Sequence, residues 1–144
     1  MKITLMFLLS ILLGKGCESE KAQELESAVI EYTANIRGFY ERITISNRTV
    51  EVSADRNGQD TPTPVKITDA DWKTLVETFN KVKLDEVPTL KAPSEKRFYD
   101  GAAIAQLKIT YKDKTYETPE FDHGNPNVAI AALVAQIQNY SNRK

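Results

Sequence analysis

Two runs of alternating residues, separated by Asn47-Arg48, constrain the fold of this chain more than any other feature. In the first run Phe39, Ile43 and Ile45 share one face, while Tyr40, Arg42 and Thr44 share the other. Val50, Val52 and Ala54 resume the alternation after Ser46-Asn47-Arg48-Thr49. Successive strand side chains point to opposite faces. A two-residue turn at Asn47-Arg48 therefore sets Ile45 opposite Val50 and Ile43 opposite Val52, and one apolar face is buried throughout. A slip of one residue would turn that whole face toward water, so the register is strongly specified.

The remaining elements follow from similar patterns. Val29, Ile30 and Tyr32 mark an extended segment within Ser27 to Asn35. After the turn Asp55-Arg56-Asn57-Gly58, the repeated prolines of Thr61-Pro62-Thr63-Pro64 exclude a central strand, and Val65 with Ile67 predicts a short edge strand. Thr68 reads as a helix N-cap, with Asp69 and Asp71 near the positive end of the dipole. Trp72, Leu75, Val76, Phe79 and Val82 then fall at helical spacing as a core-facing stripe. Asp85 to Gly101 is an irregular connection. Ala103, Ala105, Leu107, Ile109 and Tyr111 define the next strand, with a turn predicted at Asp113-Lys114 that sets Tyr111 opposite Tyr116. Asn125 is the expected cap of a terminal helix, with Pro126 at its first position and Ile130, Leu133, Val134 and Ile137 on its buried face. Arg42 to Gly58 also matches Lys108 to Gly124 at five of seventeen positions without gaps, a level that shared hairpin composition also produces. The order strands–helix–strands–helix predicts an α+β domain: an antiparallel sheet of about five or six strands with two helices on one face. At 144 residues one such domain accounts for the chain.

The amino end reads as an address. Met1-Lys2 is a short basic start, and Ile3 to Leu13 is an apolar run of eleven residues broken by Thr4 and Ser10. As a helix it would rise only ~16 Å, about half of a hydrocarbon core, which suits the apolar region of a secretory signal and not a membrane span. Cys17, the one cysteine, follows Gly14 and Gly16. Leu13-Gly14-Lys15-Gly16-Cys17 resembles the lipobox of bacterial lipoproteins, although Gly14 and Lys15 stand where that motif usually has leucine and a small residue. The resemblance implies cleavage before Cys17, a diacylglyceryl group on its thiol and an added acyl chain such as palmitate. Two acyl signals give stable anchoring. Residues 1–16 are then the signal peptide, 17–26 a lipidated polar tether and 27–144 the domain. Loss of Lys2 and Lys15 leaves 17 basic against 20 acidic residues, net −3, so the lipid anchor and not charge would hold the protein at the cell envelope. The segments Arg37-Gly38-Phe39-Tyr40, Phe98-Tyr99-Asp100-Gly101-Ala102 and Phe121-Asp122-His123-Gly124 are similar to those of small single-domain envelope lipoproteins of diderm bacteria. That likeness carries no activity with it.

Composition narrows the chemistry. Nineteen basic residues against twenty acidic ones do not indicate a nucleic-acid partner. One histidine and one cysteine do not make the usual zinc sets, and there is no phosphate-cradling glycine pattern, so neither a metal nor another cofactor is expected. Asp122 and His123 could serve as a general-base pair of an envelope hydrolase, but no nucleophile stands in a recognisable setting. A turn leading to a capped helix explains the same residues. Arg37, Tyr40, Arg97 and Tyr99, with Asp100, Asp122 and His123 in the neighbouring loop segments, form the candidate partner-binding set, since arginine and tyrosine combine contact area with hydrogen bonding. The sequence thus predicts a lipid-anchored, non-enzymatic binding module for an envelope protein or small ligand, with the hydrolase and a structural spacer as alternatives.

Overall fold

The computed structural model describes residues 24–143. The segment expected to be a signal peptide, the expected lipidation site Cys17 and the expected tether up to residue 23 lie outside the described residues. Within them the sequence is laid out as β1 (Val29–Ile36), β2 (Phe39–Ser46), β3 (Thr49–Ser53), β4 (Val65–Lys66), helix α1 (Asp69–Asn80), β5 (Ile104–Tyr111), β6 (Lys114–Glu117), β7 (Phe121–Asp122) and helix α2 (Val128–Ser141). The strands form one antiparallel sheet in the order β4-β3-β2-β1-β5-β6, with the short β7 paired to β5. The α+β prediction holds.

The β2–β3 hairpin has the expected register, with Ile43 opposite Val52 and Ile45 opposite Val50. Its turn residues Asn47 and Arg48 both have positive φ, 47° and 61°, the twist that matches two right-twisted strands. The first extended segment becomes the central strand: β1 pairs β2 on one side and β5 on the other, and buries Ile30, Tyr32 and Ala34. Ile43, Ile45, Val50, Ala105, Leu107 and Ile109 line the same face. Both helices contribute to this one core, α1 through Trp72, Leu75 and Phe79, α2 through Ile130, Leu133, Val134 and Ile137. Each fully buried large side chain contributes roughly 1.5–3 kcal/mol, enough to dock two short helices that would not persist alone. The opposite face of the central strands carries Glu31, Thr33, Arg42, Thr44, Gln106 and Lys108.

Three expectations need correction. The second hairpin turns at Lys112-Asp113, not at Asp113-Lys114, so Tyr116 sits opposite Ile109 and Tyr111 opposite Lys114. Buried Thr118 fixes that register: its N–H donates to the Leu107 carbonyl at 2.9 Å, and its hydroxyl accepts the Leu107 N–H at 3.1 Å. The two hairpins are consequently out of step by one residue in the gapless match of their sequences. The cap of α2 is Asn127, whose side chain accepts the Ala129 N–H at 2.9 Å. Asn125 is committed elsewhere, donating its N–H to the Asp122 carbonyl and its side-chain amide to Ser94. Finally, residues 24–27 form a helical turn and Leu25 is buried in the core, so packing begins inside the segment assigned to the tether. The Thr68 cap stands as predicted, accepting the Asp71 N–H at 3.2 Å.

Candidate functional site

The irregular connection between the helices is organised by one buried carboxylate. Asp122 lies in β7, which pairs with the first residues of β5 and so brings residue 122 beneath the connection. Its Oδ2 accepts the Ser94 hydroxyl at 2.6 Å and the Lys96 N–H at 2.8 Å; its Oδ1 accepts the Arg97 N–H at 3.0 Å and Arg97 Nη1 at 3.1 Å. Arg97 Nη1 also donates to the Ser94 carbonyl at 2.7 Å. Burial alone would raise the Asp122 carboxyl, but the Ser94 hydroxyl, the Arg97 and Lys96 amides and the Arg97 guanidinium outweigh it and hold the group well below the usual carboxylate range. Asp122 is therefore a clasp.

The clasp shapes the short 3₁₀ turn Lys96–Tyr99. Asp100 follows in the left-handed region at φ 58°, and the Gly101 N–H closes on the Lys96 carbonyl at 2.8 Å. A Cβ at Gly101 would meet Tyr99 Cε2 at 2.9 Å and the Lys96 carbonyl at 3.2 Å, so a larger residue here would have to turn the exposed Tyr99 ring aside and ease the turn by a few tenths of an ångström. The outcome is that Phe98 and Tyr99 stand in solvent, 69% and 71% exposed, with the Arg97 guanidinium 4.4 Å from the Phe98 ring centre. Exposed aromatics held on a fixed turn make contact area available at little ordering cost.

Arg37, Arg97 and Asp100 come together around a shallow cleft of about 350 Å³, together with Arg56, Ile36 and Ile104. Arg37 is in the turn between β1 and β2, followed by Gly38 at φ 79°. Arg56 Nη2 donates to the carbonyls of Ile36 at 2.9 Å and Phe39 at 3.2 Å, and its guanidinium lies 6.0 Å from the centre of the Tyr40 ring. Tyr40 thus joins the site through Arg56. Arg56 was missed because the sequence shows it only as part of a turn. The signal lies in space: Asp55 accepts the N–H groups of Asn57, Gln59 and Asp60, which winds the loop that carries Arg56 back over the β1–β2 turn.

His123 belongs to a different environment. Its Nδ1 is 2.7 Å from the Tyr32 hydroxyl, and Gln138 Nε2 lies 3.3 Å from the same nitrogen. Burial, with Glu41 adding to it, pushes the Tyr32 phenol well above its ordinary value, so the hydroxyl keeps its proton beside the imidazole nitrogen. The ring of half-exposed Phe39 covers His123 at a centroid distance of 5.9 Å. Asp122 and His123 are neighbours in sequence with separate partners, and no hydrogen bond joins their side chains among the described residues. Asp122 and Asp100 also differ in setting, one buried by the clasp and one exposed on the cleft wall. Among the described residues no group of three or more His, Cys, Asp or Glu side chains is arranged to hold a metal ion.

A second cleft, of about 370 Å³, lies at the β3–β4 edge between Val50, Val65, Ile67, Tyr140, Asp71 and Arg143. It shares no lining residue with the arginine cleft. No protein-family model matches the chain, and neither a curated protein nor a solved structure gives a match.

Proposed function

We propose that this chain is a lipid-anchored envelope protein whose domain is a non-enzymatic binding module for another envelope protein. The anchor rests on the signal-like run ending at Cys17. The binding role rests on one observation above all: Phe98 and Tyr99 are displayed in solvent by a loop that the buried Asp122 holds in place. Two adjacent exposed aromatic side chains on an ordered turn offer contact area of the kind enriched at protein interfaces. Arg97 and Asp100, on either side of Phe98 and Tyr99 in the chain, line a cleft with Arg37 and Arg56, and Tyr40 lies beside Arg56. The hydrolase reading has less support, because the carboxylate it needs is consumed by four hydrogen bonds and the histidine faces a phenol.

Crosslinked affinity capture of the lipidated protein from its own envelope tests the proposal. The paired control is Phe98→Ala/Tyr99→Ala, since both side chains are exposed and their loss leaves the clasp intact; an Arg97 substitution would disturb the loop itself. The expected result is a reproducible partner that the folded double variant loses. Reproducible capture of nothing, or of the same proteins by the variant, would sink the binding reading.

A further inference from the structure

The arginine cleft has a charge balance that selects among ligands. Arg97 is neutralised by Asp122 at 3.1 Å. Arg37 and Arg56 make no ion pair with any acidic side chain among the described residues, and Asp100 on the same wall offsets one of them. The cleft is therefore left with a net charge of about one positive, from two unpaired guanidinium groups against one exposed carboxylate. Arg56 is pre-positioned as well, because the two carbonyls that hold its Nη2 flank the turn that carries Arg37. Its remaining guanidinium nitrogens have no hydrogen-bond partner among the described residues.

A planar guanidinium fork matches a carboxylate in shape and, at this charge, in valence. A phosphate group, at about −1.5 to −2 near neutral pH, exceeds the net charge of the cleft and is repelled by Asp100 more strongly than a singly charged carboxylate is. The cleft also adjoins Phe98 and Tyr99 along the chain, which a small free acid would leave uncovered. Resting on the binding role just proposed, we infer that the cleft of Arg37, Arg56 and Arg97 takes one carboxylate side chain of an acidic peptide segment in the partner, with an apolar residue of that segment against Phe98 and Tyr99.

The test uses the full chain in detergent and a fluorescein-labelled peptide of glutamate and leucine residues, read by anisotropy. The control peptide has glutamine in place of glutamate. Saturable, salt-sensitive binding of the acidic peptide is expected, weakened about tenfold or more by Arg37→Glu. Arg37 is exposed in a turn and its side chain makes no hydrogen bond among the described residues, so this variant should melt with the wild type. Arg56→Glu provides a second reversal on the other side of the cleft. Equal binding of the two peptides, equal binding by wild type and Arg37→Glu, or no binding by wild type would overturn the inference. Displacement of the peptide by inorganic phosphate at lower concentration than by acetate would overturn the carboxylate assignment. If envelope capture loses its partner in Phe98→Ala/Tyr99→Ala but keeps it in Arg37→Glu, the recognition surface stands and the acidic ligand alone is wrong.

Discussion

Two corners of the same sheet each hold an aspartate–arginine pair beside a cleft of similar size, yet the pairs differ in kind. At the β3–β4 edge Arg143 Nη1 lies 2.6 Å from Asp71, with the two side chains 57% and 30% exposed. At the other corner Arg97 Nη1 lies 3.1 Å from Asp122, with the side chains 9% and 2% exposed. The shorter pair is the weaker one, because water screens it and two mobile side chains must be ordered to form it. The longer pair is desolvated, and three further hydrogen bonds complete the carboxylate's coordination. Distance alone misranks them. What separates the corners is how much of the backbone depends on each carboxylate: Asp122 fixes two amides and a hydroxyl of another loop, whereas Asp71 serves its own helix and the chain end.

The largest expected effect comes from removing the clasp. Asp122→Ala leaves the Arg97 guanidinium, the Ser94 hydroxyl and two backbone amides without their acceptor in a buried place. Loss of one partner from a buried pair is strongly destabilising, and Tm should fall on the order of 10 °C. Trypsin should also cut after Lys96 or Arg97 in the native variant far faster than in wild type. A variant that melts close to wild type with an uncut loop would remove the distinction between the corners.

Acid should sharpen it. The folded-state Asp122 carboxyl is depressed below its ordinary value of ~3.9, so its contribution is complete above that value and is lost as pH falls toward the folded one. Urea melts taken from pH 5 down to about pH 2 should therefore show a steeper loss of stability in wild type than in Asp122→Asn, which has no proton to gain. Parallel curves would mean that Asp122 is not held ionised by the clasp.

These two corners were unequally legible. The β2–β3 hairpin could be read because its pattern is local: alternation, a two-residue turn and a consistent buried face. The Thr68 cap and the stripe of α1 were readable for the same reason. The central place of β1 was hidden, since Val29, Ile30 and Tyr32 give no clue to which strands flank them. The turn at Lys112-Asp113 was displaced by one residue because the register is set by Thr118 against Leu107, a contact across the hairpin. Asp122 was visible as a carboxylate beside a histidine, and that adjacency suggested catalysis. Its real partners lie 25 to 28 residues earlier in the chain, where only the fold brings them. Arg37, Arg97 and Asp100 were identified, and the structure gathers them; Arg56 enters through carbonyls seventeen and twenty residues away, which carry no sequence signature.

The exposed corner supplies the smallest effect and the strictest control. The hydrogen bond from Arg143 lowers the Asp71 carboxyl, with the charge of Arg143 and the Thr68 hydroxyl adding to it against burial. Both side chains nevertheless meet solvent, and the C-terminal end of α2 gains little by being tied down. Asp71→Asn keeps the backbone N–H that Thr68 caps and keeps one oxygen near Arg143, so the charge is removed with little change of shape, at the cost of one acceptor oxygen. Tm should move by no more than about 1–2 °C in low salt, and the difference should vanish by roughly 0.5 M sodium chloride, where the Debye length is only a few ångströms. A salt-insensitive drop approaching that of Asp122→Ala would mean that the Asp71–Arg143 pair is a second clasp, and that burial is not what divides the two corners.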